Sequence, residues 1–128
     1  METDQRKQTR LRAKYGALAS FFPPSPDFAL VIGRLIDISS AGLALQYFAK
    51  ERPAHVANKL EIFGVYQPLM HVEGIPGRIV YDFEVKSNTR SSLKERRCGV
   101  AFGPLTRSKR LQVERFIEQY ALGLQEKP

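Results

Sequence analysis

With one cysteine, Cys98, the chain can form no disulfide within itself. Its two histidines, His55 and His71, stand at no recognisable metal-ligand spacing from a second thiol, imidazole or carboxylate. A structural zinc site and a disulfide framework are both excluded as expectations. Long hydrophobic runs are missing too: no window approaches the 18 apolar residues of a membrane span, and Met1 to Lys14 is dense in charge where a secretory leader needs an apolar stretch. These absences point to a cytoplasmic protein. Acidic residues are in deficit, 13 against 20 basic ones, for a net charge of +7. Such a field attracts anions, whether nucleic acid, an acidic membrane surface, an anionic nucleotide or an acidic protein, without choosing among them. Cys98 itself lies beside Gly99 in an apolar run and reads as a small core residue. Only Arg96 and Arg97 argue for a reactive thiolate.

At 128 residues and 43% hydrophobic content, the chain is the size of one domain with a real core. Residues 1–14 carry Arg6, Lys7, Arg10, Arg12 and Lys14 with almost nothing apolar before Leu11, the pattern of a flexible basic arm unable to bury itself. Residues 15–128 form the domain. Ala13 to Phe22 is apolar and aromatic enough for a strand and stops at Pro23-Pro24-Ser25-Pro26-Asp27, where prolines forbid a continuing sheet. Phe28 to Ser39 and Gly42 to Phe48 read as neighbouring strands. Residues 49–57 read as a connecting loop. Further strands are expected at Lys59 to Val65, at Leu69 to Glu73 and, separately, at Gly77 to Val85, where Ile79, Tyr81 and Phe83 alternate with Val80 and Asp82. Lys86 to Arg97 is a polar hairpin tip, and Cys98 to Phe102 is the last strand. The period then changes: Val113, Phe116, Ile117, Tyr120, Ala121 and Leu124 make one helical stripe, with Thr106 or Ser108 as cap and Gly123 at the end. The expected fold is mainly β, a small six-stranded antiparallel barrel with a C-terminal helix over about 106–123. There are no internal repeats.

The stretch with chemical content is Asp37-Ile38-Ser39-Ser40-Ala41-Gly42, a polar turn between two apolar strands. Side chains alternate across a strand, so Asp37 and Ser39 share a face, and Gly42 lets the backbone bend or approach a neighbour. All these residues also serve ordinary turns, for local reasons. Catalysis is not expected: no nucleophile and base, carboxylate pair or metal cluster can be assembled, and nothing brings a histidine to Ser39.

Arg6-x-x-x-Arg10 on the arm, Asp37-x-Ser39-x-x-Gly42 at the strand end, a late Gly99-Val100-Ala101-Phe102 strand and the C-terminal helix together resemble the PilZ family of bacterial cyclic di-GMP receptors, over essentially the whole chain. Twelve arginines make the first motif common by chance. The second is far more specific, and the order of all four carries the resemblance. Lys7 departs from the family, where a second arginine often stands, and Ala101 replaces a residue that is polar or basic in many relatives.

The resemblance implies a non-catalytic receptor without cofactor or metal, whose ligand is cyclic di-GMP. Arg6 and Arg10 would fold over that ligand, and Asp37, Ser39 and Gly42 would form its floor. Lys7 and Arg97 would be secondary contacts. The chemistry fits: an arginine fork reaches guanine O6 and N7 or clamps phosphate, and a carboxylate accepts from guanine N–H groups. Ordering of the arm would signal to a downstream protein, and Gln5 leaves open one ligand or a stacked pair. The alternative is a small basic barrel that binds single-stranded nucleic acid on stacked aromatics. Against it, most of the five tyrosines and eight phenylalanines fall in apolar runs that suit a core. A third reading keeps the fold but only as a protein adaptor.

Overall fold

In a computed structural model, the residues described are 10–22, 31–49, 58–66, 68–85 and 92–121. The chain runs through β1 (Leu11–Arg12), β2 (Ala17–Phe22), β3 (Val31–Ser39), β4 (Gly42–Ala49), β5 (Asn58–Gly64), β6 (Met70–Glu84), β7 (Lys94–Phe102) and α1 (Arg107–Tyr120). Every pairing is antiparallel, in the order β3, β2, β5, β6, β7, β4, and β4 returns to β3. That last pairing closes the sheet into the expected six-stranded barrel, so that each of the six strands described pairs with a neighbour on both sides. β1 extends the line of β2 along the far half of β3, with Leu11 opposite Ile38 and Arg12 opposite Asp37.

Inward-facing side chains fill the barrel: Ala17, Ala19 and Phe21 from β2, Leu35 and Ile38 from β3, Leu43, Leu45 and Tyr47 from β4, Leu60 and Ile62 from β5, Val72 and Ile75 from β6, Cys98 and Val100 from β7. Strict alternation would turn some of these outward. Three bulges correct the parity. One extra residue in β3 lets Leu35 and Ile38 both face inward, one in β6 lies opposite Leu60 to Ile62, and one in β6 falls between Ile79 and Tyr81. Gly74 takes the second bulge with φ +69, a conformation that side-chain-bearing residues rarely adopt.

α1 covers one end of the barrel. Thr106 caps it, its hydroxyl accepting from Lys109 N at 3.0 Å. Val113, Phe116 and Tyr120 are buried, at the spacing the sequence stripe predicts. The Tyr120 hydroxyl lies 2.7 Å from the carbonyls of Tyr66 and Pro68 and accepts from Tyr66 N, which ties the helix to the β5–β6 turn. No helix among the described residues is long and apolar enough to cross a membrane.

Several sequence expectations need correction. Leu69 to Glu73 and Gly77 to Val85 are not two strands: β6 runs 15 residues without a break, because the Gly74 bulge absorbs the irregularity and Pro76 pairs with Lys59 inside the sheet. Lys94 to Arg97, placed in the polar tip, belong to β7 and pair with Gln46 to Ala49. Ala13 to Phe22 is divided by a turn at Tyr15–Gly16. The bulge between Ile79 and Tyr81 reverses the alternation read there, so Tyr81 and Phe83 lie on the outer face and Asp82 on the inner one. α1 stops at Tyr120, and Ala121 turns extended to bridge Ala13. The proline loop, residues 50–57 with His55, residues 86–91, Gly123 and Leu124 lie outside the described residues.

Candidate functional site

The β3–β4 turn owes its shape to the residues singled out in it. Ser39 Oγ accepts from Ala41 N at 3.1 Å, so the hydroxyl, almost wholly buried, closes the turn. Ala41 O accepts from Phe102 N at 2.9 Å, which fastens the turn to the end of β7. A Cβ on Gly42 would run into the Val100 carbonyl, so β4 reaches β7 this closely only with glycine there. The glycine serves close approach; its φ is ordinary.

Asp37 is carried by β3 just after the bulge, on the outer face, and Arg10 meets it from the arm. Arg10 Nη1 donates to Asp37 Oδ1 at 2.8 Å. The approach is held by backbone on both sides: Ala13 N donates to Ile36 O at 2.9 Å and Lys14 N to Tyr120 O at 2.7 Å. The described end of the arm is thus laced between β3 and the C-terminus of α1. One guanidinium N–H goes to Asp37, and an arginine fork has further donors to present to a ligand. Arg10 and Asp37, 27 residues apart, are thus in direct contact, and Ser39, two residues farther along β3, pairs with Gly42 at the turn. Arg6 and Lys7 lie outside the described residues.

Arg97 stands apart from these residues, on the outer face of β7 opposite Gln46 and Phe83. Its Nε is buried and has no hydrogen-bond partner among the described residues. Beside it, Arg34 Nη2 donates to Gln46 Oε1 at 3.0 Å. A cation, an amide and a second cation thus follow one another along the outer face, below the Arg10–Asp37 pair.

Inside the barrel lies a polar group that the sequence did not announce. Arg96 Nε donates to Asp82 Oδ1 at 2.7 Å, and the Tyr47 hydroxyl donates to Asp82 Oδ2. Burial, then the Asp82 hydrogen bond, pushes the Tyr47 phenol up. Burial opposes the Arg96 charge, but Asp82 and Tyr47 outweigh it and hold the guanidinium more firmly protonated than usual. The Cys98 thiol is pushed up to about 12, by burial first and then by Asp82, with Arg96 opposing. Arg96, which could have activated a thiolate, is committed to Asp82, and Cys98 is a core residue as its setting predicts.

Two further readings are corrected. His71 is not isolated: β5–β6 pairing sets its Nε2 3.0 Å from Glu61 Oε1 and stacks its ring on Phe63, with Glu73 close by. Those contacts account for its position. Among the described residues the aromatic rings divide between core and surface: Phe21, Tyr47, Phe116 and Tyr120 are buried, whereas Tyr15, Phe48, Tyr66, Tyr81 and Phe83 are exposed.

No family model and no curated protein matches the sequence. Solved structures do match the fold. A PilZ domain of YcgR with c-di-GMP, from Escherichia coli, aligns with a TM-score of 0.68 at 15% identity, over 91% of this chain and 91% of that one. YcgR in complex with c-di-GMP, also from Escherichia coli, aligns with a TM-score of 0.61 at 16% identity, over 90% of this chain and 45% of that longer one. With its closed barrel, its arm meeting the β3–β4 turn and its helix across one end, the chain has the fold of a PilZ domain.

Proposed function

We propose that the protein is a non-catalytic receptor for cyclic di-GMP. The observation that carries the reading is the Arg10–Asp37 contact, which joins the arginine motif of the arm to the Asp-x-Ser-x-x-Gly turn on a barrel of the PilZ fold. Both aligned Escherichia coli structures are described as containing c-di-GMP. In the bound state Arg6 and Arg10 close over the ligand, Asp37 accepts from a guanine edge, and Ser39 and Gly42 hold the turn that presents it. Lys7 and Arg97 add positive charge for the phosphates. The site is built for recognition: a carboxylate paired with a guanidinium, a hydroxyl used within its own turn and bare backbone offer no activated nucleophile.

Residues 1–14 act as the arm that responds. Closing it on the ligand costs ordering free energy, so binding is moderate in strength and sensitive to salt. The ordered arm presents a new surface to a downstream protein. The test is equilibrium titration with cyclic di-GMP and with GTP, followed by proteolysis of the arm. Binding of the cyclic dinucleotide alone, with protection of the bonds around Arg6 and Arg10, supports the reading. Protection by an oligonucleotide that competes at equal charge supports the single-strand alternative, for which the exposed rings provide stacking faces. A folded protein that binds neither is the adaptor.

A further inference from the structure

Sheet register extends the surface beyond the turn. One row crosses β3, β4, β7 and β6 through Asp37, Ala44, Gly99 and Tyr81, and the next passes through Arg34, Gln46, Arg97 and Phe83. Ala44 and Gly99 add no bulk to the first row, which spans three strand spacings, about 14 Å, between a carboxylate and an aromatic ring. Tyr81 lies directly on the backbone of Gly99, where a Cβ would strike its ring, so it leans toward β7 and hence toward Asp37. Phe83 stacks beside it with centroids 5.7 Å apart. The pair is held in place, yet Tyr81 stays 40% exposed. Beside this shelf, the buried Nε of Arg97 has no acceptor among the described residues, an unusual state for a buried donor.

Resting on the cyclic di-GMP reading above, the geometry points to a second nucleobase subsite: Tyr81 stacks one purine while Arg10 and Asp37 hold the other, and Arg97 faces the phosphate between them. A flat ring on a glycine floor offers a π-face, and an adjacent guanidinium offers fixed positive charge to the backbone of a dinucleotide. The two ends of the row thus take the two halves of one ligand. A mononucleotide fills only one.

The experiment uses the full chain. In the unmutated protein, NMR contacts are expected between the Tyr81 ring and the H8 proton of a bound guanine. In calorimetry, Tyr81→Phe binds cyclic di-GMP as tightly as the parent, because the ring is kept, and Tyr81→Leu binds about ten- to a hundredfold more weakly. A missing ring contact, or Tyr81→Leu at parental affinity, overturns the subsite. Arg10→Ala run in parallel separates the two claims: weak binding there with normal binding by Tyr81→Leu removes only the subsite. A parent that binds no cyclic di-GMP removes both.

Discussion

Two arginine–aspartate pairs of nearly equal length, Arg10–Asp37 at 2.8 Å and Arg96–Asp82 at 2.7 Å, sit on opposite faces of the same barrel wall. The inner pair is 10% and 0% exposed, and Tyr47 occupies the second oxygen of its carboxylate. The outer pair is 18% and 29% exposed and joins the barrel to the arm. Equal distances conceal different physics. A charge sealed in a barrel must be answered by protein, so the inner carboxylate is committed to its neighbours. A charge still partly open to water is answered by it when its partner leaves, so the outer pair contributes less to stability than the inner one and is open to exchange with a ligand. The same residue types serve structure in one place and, on the proposed function, recognition in the other, and burial decides which.

The largest effect expected from breaking this comparison is at the inner pair. Asp82→Ala leaves Arg96 uncompensated and Tyr47 without an acceptor, at a cost of about 3–5 kcal/mol measured by urea unfolding. Next, Arg10→Ala unfolds within about 1 kcal/mol of the parent. Its affinity for cyclic di-GMP falls about ten- to a hundredfold in calorimetry, the worth of charge-assisted hydrogen bonds. An Asp82 variant that kept parental stability, or an Arg10 variant that lost more than it, would reverse the assignment of the two pairs.

A third prediction follows from the thiol beside the inner pair. Cys98 keeps its proton in the folded state up to about pH 12, while the unfolded chain releases it near the usual 9.0. Between those values the unfolded state binds fewer protons, so stability falls as pH rises, by up to about 1.4 kcal/mol per pH unit for this one group. Tyr47 acts in the same direction. Cys98→Ala should flatten the decline seen in unfolding titrations above pH 9. The smallest effect is that of salt. Raising it weakens cyclic di-GMP binding at the outer pair and leaves the unfolding midpoint of the parent nearly unchanged, since buried pairs are screened little.

Legibility in sequence divides along the same line. The outer turn was readable because its chemistry is local: Asp37, Ser39 and Gly42 lie within six residues, and the helical stripe through Val113, Phe116 and Tyr120 is a local periodicity too. The inner group was not. Tyr47, Asp82 and Arg96 come from three strands, 35 and 14 residues apart, and Asp82 faces inward only because an extra residue in β6 reverses the alternation. A bulge is set by the neighbouring strand, so one strand's own pattern does not reveal it. The same bulge separates Tyr81 from Ile79, with which the alternation had grouped it. The gap left between Glu73 and Gly77 is no strand break, because Gly74 bulges at positive φ while Pro76 pairs with Lys59 and its carbonyl accepts from Gly103 N at 2.8 Å. Lys94 to Arg97 looked like loop because their polar side chains hide a backbone that pairs with β4.

The most direct measurement is calorimetric titration of cyclic di-GMP into the parent and into Asp37→Ala. The account predicts a single binding isotherm for the parent and its loss, or a shift of tenfold or more, in a variant that melts at nearly the same temperature. An Asp37→Ala protein that binds as tightly as the parent would contradict it.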